Sequence, residues 1–128
     1  MTSSTVGKRV LLVDDDRALL RLTELWLTAT GYSVVACDSF DDARQELALS
    51  PPDILVTDVR LGAFNGLHLA ILANGQRPDG IAVVMSAYDD PMLRKEAAMC
   101  RARYLVKPFT REGLLTAVIQ TPPAAAEV

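Results

Sequence analysis

At 128 residues, half of them hydrophobic and 23% charged, the chain has the length and balance of one folded domain rather than of a disordered segment or two separate cores. Its net charge of −3 argues against direct binding of nucleic acid, which calls for a basic face. No apolar run approaches the roughly 20 residues that span a bilayer, so no membrane attachment is expected.

Residues 1–7, MTSSTVG, are polar and lack the apolar core of a secretion signal; a disordered leader is expected there. Cys37 and Cys100 have neither metal-type spacing nor a CxxC pattern, which favours two reduced, packed thiols in a cytoplasmic protein.

The first strand is Arg9-Val-Leu-Leu-Val13, followed at once by Asp14-Asp-Asp16. A helix is then expected over 17–30, with Leu19, Leu20, Leu22, Leu25, Trp26 and Ala29 as its apolar positions and Gly31 as its stop. Asp16 reads as the cap acid of that helix, because acids favour helix N-termini. Tyr32 to Cys37 is the second strand. Ser39 is an N-cap, with Asp42 completing a weak capping box, for a helix through Leu49 that Pro51-Pro52 ends.

The third strand, Asp53-Ile-Leu-Val-Thr57, delivers Asp58. A loop over 61–65 and a helix from about Gly66 to Ala73 follow, with Asn74-Gly75 as the stop. Ile81-Ala-Val-Val-Met85 delivers Ser86, and a helix opens at Pro91 and runs to about Cys100. Arg103-Tyr-Leu-Val106 delivers Lys107, and Thr110 caps a last helix to about Gln120. Residues 121–128 read as a flexible tail or the start of a linker.

Strict alternation of strand and helix predicts one parallel sheet with right-handed crossovers and helices on both faces. The near-continuous apolar strands agree, because parallel strands are buried on both sides. In such sheets ligands bind beyond the carboxyl ends of the strands. Asp14, Asp15, Asp58, Ser86 and Lys107 all fall at that edge, a set of groups suited to holding a divalent cation and a phosphoryl group together.

Leu11-Leu-Val-Asp-Asp-Asp16, Thr57-Asp-Val-Arg-Leu61 with Gly66, Met85-Ser-Ala87 and Tyr104-Leu-Val-Lys-Pro-Phe109 resemble the receiver domains of two-component response regulators, of the chemotaxis-regulator-like kind. The likeness spans residues 8–120 in the family's order and spacing. It implies a flavodoxin-like α/β fold, a single doubly wound sheet of five parallel strands in the order 2-1-3-4-5 with five helices.

The resemblance also implies roles. Asp58 is the expected phosphoacceptor. Asp14, Asp15, Asp58 and the backbone carbonyl of Arg60 are the expected ligands of a Mg²⁺ cofactor, with Asp14 acting in support. Lys107 pairs with the phosphoryl oxygens, Ser86 donates its hydroxyl to them, and Tyr104 moves inward as the Ser86 loop shifts. A cis Lys107–Pro108 peptide bond is expected too.

The partners implied are a histidine kinase or phosphotransfer protein and an output protein or domain of unspecified kind, with phosphorylation-dependent homodimerisation as a further option. The chain would be a switch rather than a turnover enzyme. Two alternatives are an aspartyl-nucleophile phosphatase and a phosphorylation-independent interaction module of the same fold. Such phosphatases usually carry a second acid two residues after the nucleophile, where this chain has Arg60. A flavin protein of similar topology would need a phosphate loop where Asp14-Asp15-Asp16 stands.

Three positions depart from the family's common pattern. Gly62 replaces a usual proline, which predicts a looser loop. Arg60 and Tyr88 occupy positions that vary with phosphoryl lifetime, and Met99-Cys-Arg-Ala102 lacks the glycine that commonly ends the fourth helix. His68 and the basic residues Arg94, Lys95, Arg101 and Arg103 read as solvated surface.

Overall fold

The computed structural model describes residues 7–119. In chain order the elements are β1 (Arg9–Val13), α1 (Arg17–Ala29), β2 (Ser33–Cys37), α2 (Phe40–Leu49), β3 (Ile54–Asp58), β4 (Arg60–Leu61), β5 (Phe64–Asn65), α3 (Leu67–Gln76), β6 (Ile81–Ser86), α4 (Pro91–Met99), β7 (Ala102–Val106) and α5 (Arg111–Ala117). Five strands form one parallel sheet in the order β2-β1-β3-β6-β7, the expected 2-1-3-4-5 order once the small β4–β5 hairpin is set aside.

Period-two alternation divides the core between the two faces of this sheet. On one side Leu11, Val13, Leu55 and Val84 meet Phe40, Ala43 and Leu47 of α2, Leu69 and Ala70 of α3 and Ala97 of α4. On the other, Val10, Leu12, Val56 and Val83 meet Leu20 and Leu27 of α1 and Leu114 of α5. The central strands β3 and β6 are buried along their whole length. Burial on both faces holds the carboxyl ends of these strands rigidly, and the chemistry hangs on those ends.

The caps follow the sequence reading. Asp16 accepts the N–H of Leu19, Ser39 that of Asp42 and Thr110 that of Gly113. Gly31 adopts a positive φ just past α1, and the Lys107–Pro108 bond is cis.

Four details differ from the sequence expectation. The α1 stripe facing the sheet is Leu20, Thr23 and Leu27, while Leu22 and Leu25 face outward. At 3.6 residues per turn those two leucines sit roughly 200° and 140° round from Leu20. Thr23 tolerates burial because its hydroxyl donates to the Leu19 carbonyl.

The segment 61–65 is no plain loop: Leu61 pairs with Phe64 and Arg60 with Asn65 in an antiparallel hairpin. Helix α3 continues through Asn74-Gly75 to Gln76. The effective stop is Pro78, which holds Arg77 in an extended conformation (φ −137°, ψ 85°). The last helix ends at Ala117, short of the expected Gln120, a residue outside the described segment.

Apart from Gly7, the leader expected over residues 1–7 lies outside the described residues, as does the tail over 121–128. Among the described residues no helix is long and apolar enough to cross a membrane, and Cys37 and Cys100 are both free thiols.

Candidate functional site

The sheet order reverses between β1 and β3, and that crevice is where an open α/β sheet exposes a binding site. Asp14 and Asp15 follow β1 on one side of it, and Asp58 ends β3 on the other. Carboxylate oxygens of Asp14, Asp15 and Asp58 all lie within 4.8 Å of one another. Asp14 and Asp58 are buried, whereas Asp15 is exposed. Three hard oxygen donors at this spacing fit a divalent cation of the Mg²⁺ or Ca²⁺ type.

Lys107 enters from the end of β7, whose backbone is tied to β6 by the Lys107 N–H donating to the Ser86 carbonyl at 2.7 Å. Its Nζ lies 3.0 Å from Asp14 Oδ2 and 3.1 Å from Asp58 Oδ2, so one ammonium bridges two carboxylates. The Lys107 side chain is only 17% exposed, and burial pulls its pKa down. The hydrogen bonds and charges of Asp14 and Asp58 outweigh burial and leave it raised.

Asp58 is raised as well, which at first sight contradicts its pairing with the same lysine. Burial is the dominant cause. The Lys107 charge and hydrogen bond and the Arg60 backbone N–H favour the ion, but the Asp14 charge adds to the rise. Two acids share one cation, so Lys107 gains from both while Asp58 receives only part of its compensation.

Asp14 has further support: its Oδ1 accepts the N–H of Asp16 at 2.9 Å. Asp15 Oδ2 accepts the N–H of Gly62 at 3.2 Å. Gly62 holds φ +62°, so the proline usual at this place would lack both the N–H and the backbone conformation. Gly66 is required more strictly. A Cβ there would stand 2.0 Å from the Asp58 carbonyl oxygen and 2.9 Å from Thr57 Oγ1.

Beside the carboxylates lies an open cleft of about 330 Å³, lined by Asp58, Arg60, Ser86, Tyr88 and Lys107 among others. Ser86 is 4% exposed, and its Oγ accepts the N–H of Tyr88 at 3.1 Å. Tyr104 is half-buried; its hydroxyl donates to the Tyr88 carbonyl at 2.6 Å.

The structure therefore brings Asp14, Asp15, Asp58 and Lys107 into one cluster, with Ser86 and Arg60 on the wall of its cleft. Tyr104 reaches that wall through its hydroxyl bond to Tyr88. The sequence reading of the basic residues as solvated surface holds for Arg94, Lys95 and Arg101, which are exposed, and fails for the half-buried Arg103. Arg103 donates to the carbonyls of Ala117 and Ile119 at the end of α5. Arg94 lies over the Tyr104 ring and pairs with Asp89. Neither contact follows helical spacing, so no pattern in the chain announces it.

Residues 10–119 match the family model described as the response regulator receiver domain. The acid tolerance regulatory protein ActR of Sinorhizobium medicae is 32% identical over 121 residues, an alignment covering 94% of this chain and 62% of that protein. This chain thus spans about three fifths of the length of that relative.

Among solved structures, a CheY-like response regulator receiver domain protein from Methanospirillum hungatei superposes with a TM-score of 0.80 at 25% identity, covering 86% of this chain and 89% of that one. A response regulator protein from Burkholderia pseudomallei, solved with a phosphorylated aspartic acid, calcium ion and citrate, gives a TM-score of 0.83 at 25% identity, covering 94% of this chain and 70% of that one. Fold, strand order, the clustered acids and the family match agree: this chain belongs to the response regulator receiver domain family, whose members are signalling switches.

Proposed function

We propose that this chain accepts a phosphoryl group on Asp58 from the phosphohistidine of a histidine kinase or phosphotransfer protein, and that the modified form alters binding to an output protein or domain. The observation that carries this reading is the bridging of Asp58 and Asp14 by Lys107 beside Asp15, at the switch point of the sheet.

A carboxylate is a competent nucleophile toward phosphorus. One Asp58 oxygen forms the new O–P bond as the donor's N–P bond breaks, and the imidazole leaves with the electron pair. Lys107 faces the incoming oxygens as a compact, mobile cation. Ser86 already accepts the Tyr88 N–H, which leaves its own hydroxyl hydrogen free to donate to the phosphoryl group. Tyr104 would follow the Ser86 loop as that bond forms.

Asp14, Asp15, Asp58 and the Arg60 carbonyl would hold Mg²⁺. When bound, the ion supplies the positive charge that lets an anionic nucleophile and an anionic phosphoryl group approach. The Burkholderia relative, with its phosphorylated aspartic acid and calcium ion, supports this assignment. Residues 8–120 would form the receiver proper, working in the cytoplasm as a switch rather than a turnover enzyme.

Intact mass spectrometry after incubation with acetyl phosphate and Mg²⁺ tests the reading. The expected result is gain of one phosphoryl group, lost in Asp58→Asn and in EDTA. Equal uptake by Asp58→Asn would assign the chemistry to another residue.

A further inference from the structure

The three clustered carboxylates are not held alike. Lys107 bridges Asp14 and Asp58, and Asp14 also accepts the N–H of Asp16. Asp15 is exposed, and among the described residues its carboxylate has one hydrogen bond, from the Gly62 N–H to Oδ2 at 3.2 Å. The orientation of Asp15 therefore depends on where the tip of the β4–β5 hairpin stands.

That tip is the two-residue turn Gly62-Ala63 between the paired Leu61 and Phe64, and only Gly62 of the two has a positive φ, the type II′ pattern. At the base of the hairpin, Arg60 faces Asn65, whose Oδ1 accepts the Leu67 N–H at 2.9 Å, so this end is tied to α3. Nearer the tip, Leu61 and Phe64 lie opposite each other and share one face of the hairpin. Leu61 is buried in the core, whereas Phe64 is 51% exposed. The Phe64 ring is stacked on that of Phe40, with centroids 4.8 Å apart and planes 12° from parallel. Phe40 is itself buried as the first residue of α2.

We propose that Phe64 is a positioning residue: stacked on Phe40, it holds the hairpin tip so that the Gly62 N–H orients the Asp15 carboxylate for a divalent cation shared with Asp14 and Asp58. The inference rests on the reading of that cation site given above. A hairpin with two pairs is marginal without tertiary support. Gly62 adds backbone freedom where the usual proline would remove it. Leu61 anchors one strand at the tip, and the Phe64–Phe40 stack anchors the other. Hydrogen bonds that orient a ligating carboxylate raise metal affinity without touching the metal. The stack thus restrains from outside a turn whose own sequence is loose.

Calorimetric titration with Mg²⁺ tests this in wild type, Phe64→Ala, Phe64→Leu and Phe64→Tyr. The Gly62 amide proton resonance and the melting temperature would be recorded in EDTA alongside. Phe64→Ala is expected to bind Mg²⁺ about two- to tenfold more weakly, the range that one aromatic pair allows. Its Gly62 amide proton should move upfield as the bond to the carboxylate is lost. Phe64→Leu keeps apolar surface without the stacked plane and should fall between, and Phe64→Tyr should restore wild-type affinity.

Unchanged Mg²⁺ affinity in Phe64→Ala overturns the proposal even if the variant melts lower, because the ring would then serve stability alone. Weaker binding with an unmoved Gly62 resonance also overturns it, since the effect would bypass that bond. Wild-type protein that binds neither Mg²⁺ nor, in its presence, beryllofluoride, a stable mimic of the phosphoryl group, overturns the reading of the site together with the role of Phe64. The two failures are therefore distinct.

Discussion

Asp58 is buried next to Asp14 with a single ammonium between them, so ionising it in the folded state costs more than in the unfolded chain. The sign follows from linkage. A raised native pKa means that the cost is absent below the unfolded carboxyl value of about 3.9 and fully present once pH exceeds the native one. In EDTA, Asp58→Asn should therefore melt above wild type at pH 7, and the gap should close as pH falls through the carboxylate range. A variant that melts below wild type at pH 7 would mean that the Lys107 contact outweighs burial. Gly66 makes a steric claim at the same scale. Its missing Cβ leaves room for the Asp58 carbonyl, so Gly66→Ala must displace backbone at about 1–3 kcal/mol, readable in denaturant melts, with weakened Mg²⁺ binding.

Helix α4 ends in a conformation that its residues do not prefer. Cys100 is its C-cap, and Arg101 just beyond holds φ +58°, the left-handed region where glycine is the usual occupant. The missing glycine noted in Met99-Cys-Arg-Ala102 thus shows up as a strained arginine rather than as a different helix end. Arg101→Gly should relieve a cost of about 1–2 kcal/mol. The added freedom of glycine in the unfolded chain subtracts roughly 0.4–1 kcal/mol. The net expectation is a gain of about 0.5–1 kcal/mol by urea denaturation, with beryllofluoride affinity unchanged. Elsewhere, strand arginines finish the helices: Arg9 donates to the carbonyls of Ser50 and Pro51 after α2, as Arg103 does after α5.

The carboxyl ends of three strands supply the carboxylates and the lysine, so the site exists only when the sheet is assembled. A ligand of that site must stabilise the whole fold by mass action. Mg²⁺ at ten times its dissociation constant should add about 1.4 kcal/mol to unfolding, seen as a rise in melting temperature. Asp15→Asn should remove most of that rise while changing the metal-free melting temperature little, because Asp15 is exposed. An undiminished rise in Asp15→Asn would place the cation elsewhere.

Much of this was written in the chain itself. The strand order came only with the family resemblance, but strand and helix periods, the caps Asp16, Ser39 and Thr110, and the residues at the carboxyl edge follow from local chemistry and the handedness of β–α–β crossovers. These features depend on near neighbours or on rules common to all parallel sheets. Tertiary structure decided what depends on contacts between distant segments. It chose which leucines of α1 face the sheet, carried α3 past Asn74-Gly75 to the barrier at Pro78, and folded residues 60–65 into a hairpin. It also set the ionisation of Asp58, which reflects depth and the competition of two acids for Lys107. Finally, it laid Arg94 across Tyr104: an exposed arginine is compatible with many partners, and only the packed loop between β6 and α4 selects one.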